Sequence, residues 1–362
     1  MTLHDLDTPA VVIDLDRLTA NLDAMQAACD AAGVALRPHI KTHKCAEIAR
    51  MQLQRGARGL TVAKLGEAEV MADLAGCDDL FIAYPLLGAA KLARLRALCD
   101  RAEVRVSICS LAQAELLSAG LAGGRVKVRL NVDTGLLRDG FTLAGAVEAA
   151  ARVAELPGLE LVGVFTHEGH CARQETPEAV ADCGRAAARA LVELAERLRA
   201  AGLPVAEVAP GSTPTAVAAL DVPGVTEVRP GTYCFWDANY VQRLGLELEQ
   251  CAARVWVTVV DHPAPERVIL DGGSKTFFAD NGGWWGRARC VELPELTLPA
   301  CSEEHGQALW TGSGAAPVRL GQRLSFVPHH VCPVINLTDQ VVVVRGEEVL
   351  DTWRIDARGK VN

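Results

Sequence analysis

Two textures alternate along the first 245 residues. Short apolar runs read as buried strands, and Ala-, Leu-, Glu- and Arg-rich stretches at helical spacing, such as Ala186 to Ala200, separate them. The runs are Val34–Ile40, Gly59–Ala63, Leu80–Tyr84, Val104–Cys109, Val126–Val132, Leu159–Thr166, Val205–Ala209 and Thr226–Val228. Strands covered by helices on both faces lose the in/out alternation of an exposed sheet, and these runs are correspondingly continuous. Eight strand-then-helix units predict an α/β chain folded as a closed parallel (β/α)8 barrel of the TIM type, with a doubly wound sheet as the competing arrangement. An earlier pair, the strand Ala10–Ile13 and a helical pattern from Leu15 to Ala32, precedes them.

Beyond about residue 245 the helical spacing gives way to β-branched, alternating runs: Ala252–Val260, Arg267–Leu270, Leu324–Val327 and Val341–Val344. Gly, Pro and Asp punctuate them, which predicts a second, mostly antiparallel β domain. The expected division is a barrel over residues 1–245 and a β domain over 246–362, with the first strand a candidate to join the latter.

Composition then narrows the function. Half of the 362 residues are hydrophobic, enough for a large core, and the formal net charge is -9, which argues against a nucleic-acid partner. No apolar run approaches the ~20 residues of a membrane-spanning helix, so no membrane partner is expected. The segment Met1–Asp7 lacks the basic and apolar regions of a signal peptide. Twelve cysteines occur without a CxxC pair, as expected of reduced thiols in a cytoplasmic protein.

The candidate chemistry gathers at strand ends. Arg37-Pro38-His39-Ile40-Lys41-Thr42-His43-Lys44 leaves the first barrel run with several potential cations, a setting that favours a neutral, nucleophilic lysine over a protonated one. Asn131–Gly135 and Leu137–Phe141 form a Gly-punctuated loop carrying Arg138. Phe165-Thr166-His167-Glu168-Gly169-His170 ends another strand with two histidines. In Ala209–Thr215 the amides and hydroxyls of Gly211, Ser212 and Thr213 suit a phosphate, and Arg229-Pro230-Gly231-Thr232-Tyr233 adds a second glycine and an arginine. Each segment alone also reads as an ordinary βα turn. Together they supply an amine for an imine, donors for a phosphate and partners for a ring, which is what pyridoxal 5'-phosphate requires.

On these segments, and on Pro328-His329-His330-Val331-Cys332-Pro333, the chain resembles the alanine racemase-like fold-type III pyridoxal phosphate enzymes. Within them it is similar to the metal-activated D-threonine aldolase and D-serine dehydratase branch. The resemblance implies Lys41 as the imine lysine and His167 against the cofactor ring. It also implies a phosphate site of Gly211, Ser212, Thr213, Gly231 and Thr232, and Arg229 facing the pyridine nitrogen; Arg138 and Tyr233 are further cofactor-binding candidates. His330 and Cys332 would carry a divalent ion, on one face of an extended segment by the period-two rule. A thiolate with an imidazole favours zinc or cobalt, whereas the His-x-Asp of some aldolases suits manganese.

The implied reaction is retro-aldol cleavage of a small D-β-hydroxy amino acid to glycine and an aldehyde, with His167 or His170 taking the hydroxyl proton. The alternative is dehydration to a 2-oxo acid and ammonia, with Lys41 removing the α-proton. A racemase would use a second base, commonly a tyrosine of the β domain, and this chain has no tyrosine beyond residue 240. A non-catalytic cofactor carrier would need neither the β domain nor His330 and Cys332. The family resemblance also implies a homodimer. Trp284-Trp285 is a candidate for a substrate pocket or subunit contact, Lys275 for approach to a site, and Glu303–Gly306 for a metal neighbour or a solvated loop.

Overall fold

The computed structural model describes every residue except 74–76 and Trp284, so the reading of Trp284 lies outside the described residues. The chain divides into two compact units. One comprises Asp23–Lys41, Ala46–Gly231 and Gly359–Asn362, and the other Met1–Leu22, Thr42–Cys45 and Thr232–Arg358.

In chain order β1 (Ala10–Asp14) belongs to the second unit, and the first unit holds β2 (Ala35–Leu36), β3 (Leu60–Val62), β4 (Asp79–Ile82), β5 (Glu103–Ile108), β6 (Val126–Asp133), the short β7 (Phe141–Thr142), β8 (Leu159–Phe165), β9 (Glu207–Ala209) and β10 (Glu227–Val228). The order β3-β4-β5-β6-β8-β9 is parallel throughout, and β10 pairs in parallel with β2. The remaining gaps are spanned by a parallel bridge from His39 to Thr61 and by the Thr226 amide donating to the Val208 carbonyl at 3.0 Å. Eight parallel strands therefore close into the predicted barrel. Only Ala35–Leu36 of the first predicted run pairs as a strand, because Pro38 has no amide to donate and the chain turns into a 3-10 segment at Ile40–Thr42.

The second unit contains β11 (Ala253–Ala264), β12 (Arg267–Leu270), β13 (Ala288–Cys290), β14 (Leu296–Cys301), β15 (Gly306–Trp310), β16 (Arg323–Pro328), β17 (Gln340–Arg345) and β18 (Glu348–Arg354). Strand β12 pairs with both β15 and β11, so β11-β12-β15-β14-β13-β16 forms a closed, antiparallel ring. Strand β1 inserts beside it, antiparallel to β11 and parallel to β17. Among the described residues no helix is long and apolar enough to cross a membrane.

The barrel interior is not wholly apolar. Inward positions in or beside the barrel strands carry Arg37, Asp79, Arg105, Arg129, Glu207 and Glu227, which close a ring of ion pairs. Arg37 meets Asp79 at 2.6 Å and Glu227 at 2.7 Å; Arg105 meets Asp79 at 2.5 Å and Glu207 at 2.9 Å; Arg129 meets Glu207 and Glu227 at 2.6 Å each. Three guanidiniums and three carboxylates, each shared between two neighbours, leave the ring neutral. Towards the carboxyl ends of the strands an apolar layer of Phe81, Phe165 and Ala209 covers it, and the Arg129 guanidinium stacks 4.6 Å from the Phe81 ring centre.

One expectation is corrected here. The cysteines do not all stand as separate thiols: Cys171, in the 3-10 turn Gly169–Arg173, and Cys183, in the Pro177–Ala200 helix, form a disulfide with Cα atoms 5.4 Å apart. The βα turn after β8 folds these two positions together, although their spacing of 12 residues matches no cysteine motif.

Burial alone would raise the Glu227 carboxyl pKa, yet Arg129 and Arg37 hold it below its ordinary 4.5. A carboxylate with a depressed folded-state pKa stabilises fully above its unfolded value and loses that stabilisation as pH falls below it. Glu227→Gln is expected to cost about 3–5 kcal/mol at neutral pH, because Arg37 and Arg129 lose their shared counter-charge while buried. Denaturant unfolding across pH should also show the wild type losing its advantage over the variant below about pH 4.5, the unfolded carboxyl value. An unchanged unfolding midpoint for the variant would remove the ring from the account of stability.

Candidate active site

At the carboxyl end of the barrel strands lies a cleft of about 430 Å³ lined by His39, Lys41, Tyr84, Arg138, His167 and Arg229, among others. Four predicted site residues thus share one cavity. A slightly larger cavity of about 470 Å³ in the second unit, lined by Pro9, Lys275, Val334 and Thr338, contains none of the predicted catalytic or metal-binding residues. Lys275 itself is exposed and pairs with Glu304 at 2.6 Å and Glu303 at 3.4 Å.

The 3-10 turn after Pro38 presents Lys41 to solvent, while Arg37, His43 and Lys44 of the same octapeptide are buried. His167 follows β8. Its Nδ1 lies 2.6 Å from the Gly211 carbonyl oxygen, which only accepts, so Nδ1 carries the proton and donates. Burial, with the nearby charges of Lys41, Arg138 and Arg229, pushes the His167 pKa down to about 3, so the ring is neutral across the working range. Arg229 is buried and donates to the Thr166 carbonyl at 2.5 Å, with Ala209's carbonyl at 3.3 Å. Burial and the Arg129 charge lower its pKa to about 10, leaving it a cation that gives hydrogen bonds and takes no proton.

The expected phosphate segment is organised by a carboxylate of the strand-end cluster to which the sequence assigned no role. Glu168, 1% exposed, accepts from the Gly211 amide at 3.1 Å and the Thr215 hydroxyl at 2.6 Å, and Ser212 Oγ lies 3.0 Å from that hydroxyl. The Gly231 amide donates to Thr213 Oγ1 at 3.0 Å. The amides of Gly211 and Gly231 therefore hold internal partners, whereas the sequence suggested free donors. A carboxylate immediately after His167 at an apolar strand end was the available signal. Thr232 and Tyr233 begin the chain's return to the other unit, in a buried 3-10 turn.

His170 stands apart from the Lys41 cleft lining. It packs on Gly135, where a Cβ would come within 2.8 Å of its Nε2, and that nitrogen lies 3.7 Å from Cys171 Sγ. Its Nδ1 is buried without a hydrogen-bond partner among the described residues.

In the second unit the period-two reading of His330 and Cys332 is corrected. Strand β16 ends at Pro328, His330 is extended at φ -133°, and a helix runs from Val331 to Leu337, which puts Cys332 in its first turn. Pro333 is tolerated there because first-turn amides have no intrahelical acceptor. The imidazole and the thiol still interact. His330 Nδ1 lies 2.6 Å from Asp280 Oδ2, Cys332 Sγ lies 3.3 Å from Thr42 Oγ1, and the buried Asp237 accepts from the Val331 amide at 3.2 Å. Burial opposes protonation of His330, but Cys332 and Asp280 outweigh it and push the pKa up to about 9. Burial lifts the Asp237 carboxyl to about 6. Asp280 and Asp237 had no recognised signal in the sequence.

Gly211 is needed for close approach: a Cβ there would sit 2.6 Å from Arg229 Cζ. Gly211→Ala is expected to displace the Arg229 guanidinium and lower stability by about 1–3 kcal/mol, read as a lower unfolding midpoint. A variant structure with Arg229 unmoved would contradict this packing.

Comparisons with known proteins bear on the whole chain. A model of the alanine racemase N-terminal domain matches residues 13–239, and one of a putative serine dehydratase domain matches residues 252–344. The chain is 38% identical over 362 residues to a D-threonine aldolase of Arthrobacter sp, covering 99% of this chain and 94% of that protein. It superposes on the crystal structure of D-threonine aldolase from Filomicrobium marinum with a TM-score of 0.92 and 31% identity, covering 100% of this chain and 98% of that one. A metal-free cysteine-to-alanine mutant of D-threo-3-hydroxyaspartate dehydratase superposes with a TM-score of 0.89 and 33% identity, covering 98% of each chain. The chain therefore belongs to the alanine racemase-like family, in the branch of D-threonine aldolases and D-threo-3-hydroxyaspartate dehydratases, in which a serine-dehydratase-type domain follows the barrel.

Proposed function

We propose that this chain is a pyridoxal phosphate-dependent lyase that cleaves D-β-hydroxy amino acids to glycine and an aldehyde. The observation that carries the reading is the convergence of Lys41, His167 and Arg229 on one barrel-end cleft in a chain 38% identical, over nearly all its length, to a D-threonine aldolase. Dehydration to a 2-oxo acid and ammonia is the second reading, favoured by the His330–Cys332 pair and by the likeness to D-threo-3-hydroxyaspartate dehydratase, of which one structure is a cysteine mutant in the metal-free form.

The donor set fits the cofactor: an accessible amine at Lys41, a neutral imidazole at His167, a buried cation at Arg229, and the hydroxyls of Ser212 and Thr213 beside the close-packed Gly211 and Gly231, whose amides hold Glu168 and Thr213, with Arg138 at the rim. Pyridoxal phosphate at these residues would supply the electron sink that lets a bond to the substrate's α-carbon break. Nitrogen and sulfur donors at His330 and Cys332 fit zinc or cobalt, which would supply Lewis acidity towards a hydroxyl.

The chain's own groups divide the remaining work. His167, a very weak base at about 3, orients and does not collect protons. Its fixed Nδ1–H leaves Nε2 as a lone-pair donor. Arg229 remains charged and donates, which disfavours protonation of any ring nitrogen it faces. Of the two candidate acceptors of the hydroxyl proton, His167 is too weak a base, so the role is assigned to His170, the second histidine of the β8 turn, which stands beside the lining of the Lys41 cleft and not in it. Lys41 Nζ is the amine for the imine and, in the dehydratase reading, the base for the α-proton. The working form is proposed to be a cytoplasmic homodimer.

Product analysis on D-threonine, D-serine and a phenylserine, with and without zinc or manganese, tests the reaction. Glycine plus aldehyde is expected; ammonia plus a 2-oxo acid would move the assignment to the dehydratase, and neither product would end the lyase reading. Borohydride reduction followed by dialysis should leave the wild type with covalent chromophore and Lys41→Ala with none. Retention by the variant would move the amine to Lys44, which is only 6% exposed.

A further inference from the structure

We propose that His170, Cys171 and Cys183 form a second site for a thiophilic divalent ion, separate from His330 and Cys332 and controlled by the redox state of the two cysteines. The nitrogen and sulfur donor atoms of the three residues lie within 4.8 Å of one another. Two thiolates and an imidazole, with the fourth position left to water, are an established ligand set of open zinc sites.

The geometry needs little change to accept an ion. Tetrahedral zinc with Zn–S near 2.3 Å and Zn–N near 2.0 Å places sulfur and nitrogen ligands roughly 3.6 Å apart and paired sulfurs about 3.8 Å apart. His170 Nε2 is already 3.7 Å from Cys171 Sγ. Cys183 Sγ lies within 4.8 Å of the imidazole, and the sulfur pair must separate, which breaking their covalent bond permits. The Gly169–Arg173 turn fixes the imidazole beside the sulfur, and glycine at 135 leaves room for the ring. On the other side, Gly184 allows the Pro177–Ala200 helix to approach Thr215, where a Cβ at 184 would come within 2.6 Å, so Cys183 is held by a rigid, closely packed helix. Cys171 is fully buried and Cys183 partly exposed, which gives a reductant and an ion one route of approach.

Opening the site consumes a dithiol reductant. Its thiolate attacks Cys183 Sγ, the electron pair of the disulfide passes to Cys171 Sγ, and that sulfur takes a proton. The reductant's second thiol then displaces Cys183, so the reductant leaves as a disulfide and the protein gains two thiols. Binding of the ion releases the two thiol protons and engages the His170 Nε2 lone pair. Under the proposed function, and resting on it, an ion here would occupy the proton acceptor, so excess thiophilic metal would inhibit turnover.

Cobalt(II) reports the site by its thiolate charge-transfer absorption. The full-length His330→Ala/Cys332→Ala protein, reduced with a dithiol and freed of reductant without air, is expected to bind one cobalt per chain with that absorption. The same protein kept as the disulfide should bind none. Adding Cys183→Ser, or separately His170→Gln, should abolish or weaken the band while circular dichroism stays unchanged, and an alkylation count should gain two thiols on reduction. No thiolate band in the reduced protein, or a band undiminished by Cys183→Ser, overturns the site. The cobalt result does not depend on the reaction catalysed. If cobalt binds but excess zinc inhibits wild type and Cys183→Ser equally, the metal site stands and the link to His170 proton transfer falls.

Discussion

The barrel depends on a closed ring of charge. Six inward-facing groups from β4, β5, β6, β9, β10 and the end of β2 leave water when the strands close, and an arginine or carboxylate buried without a partner would cost several kcal/mol. Sharing offsets that cost, because every carboxylate in the ring accepts from two guanidiniums and every guanidinium donates to two carboxylates of the ring, with Glu103 a further partner of Arg105. The pairing also couples strands far apart in sequence: Arg37 and Glu227 are separated by 190 residues. A register slip on one strand would strand a charge in the interior, so the ring acts against alternative registers as much as for stability.

The layers above the ring set the electrostatics of the cleft. Phe81 and Phe165 meet edge to face with centres 4.9 Å apart and divide the ring from the strand ends. Arg229 lies on the far side of those aromatics, 5.0 Å from the Phe165 ring centre, with backbone carbonyls rather than carboxylates as its hydrogen-bond partners. Its charge is therefore only partly neutralised. Burial first, then the Lys41 charge, keep His167 neutral, and the Arg229 field adds to them in the same direction.

The fold was legible because burial on both faces writes a strand as an unbroken apolar run, and each of the eight runs contains or overlaps a barrel strand. The ring was not legible: inward arginines in Val104–Cys109 and Val126–Val132 look like isolated interruptions until closure brings their partners together. Lys41, Arg138, His167 and Arg229 could be read as strand-end chemistry, and they share a cleft. Glu168 could have been read from its position beside His167. The Cys171–Cys183 pair could not, since its contact depends on how a turn lies on a helix. The extended reading of His330-Val331-Cys332 failed because period two was applied past the end of β16, where Pro333 suits a helix's first turn.

Losing the extended geometry strengthens the case that this tripeptide is built for ligation. In a strand, two alternate side chains would share a face by default. Here a helix start must be anchored for them to meet, and Asp237 does this by accepting the Val331 amide between them. Asp237 is fully buried and also caps the Ala238–Leu244 helix by accepting from the Tyr240 amide, so two helix starts hang on one carboxylate. Asp280 then holds His330 through Nδ1, leaving Nε2 as the ring atom available to a metal. A carboxylate behind a histidine is the usual way a protein fixes ring orientation and raises ligand basicity. Two buried or half-buried acids at one short turn would be a poor arrangement for stability alone, and the proposed metal role gives their placement a reason.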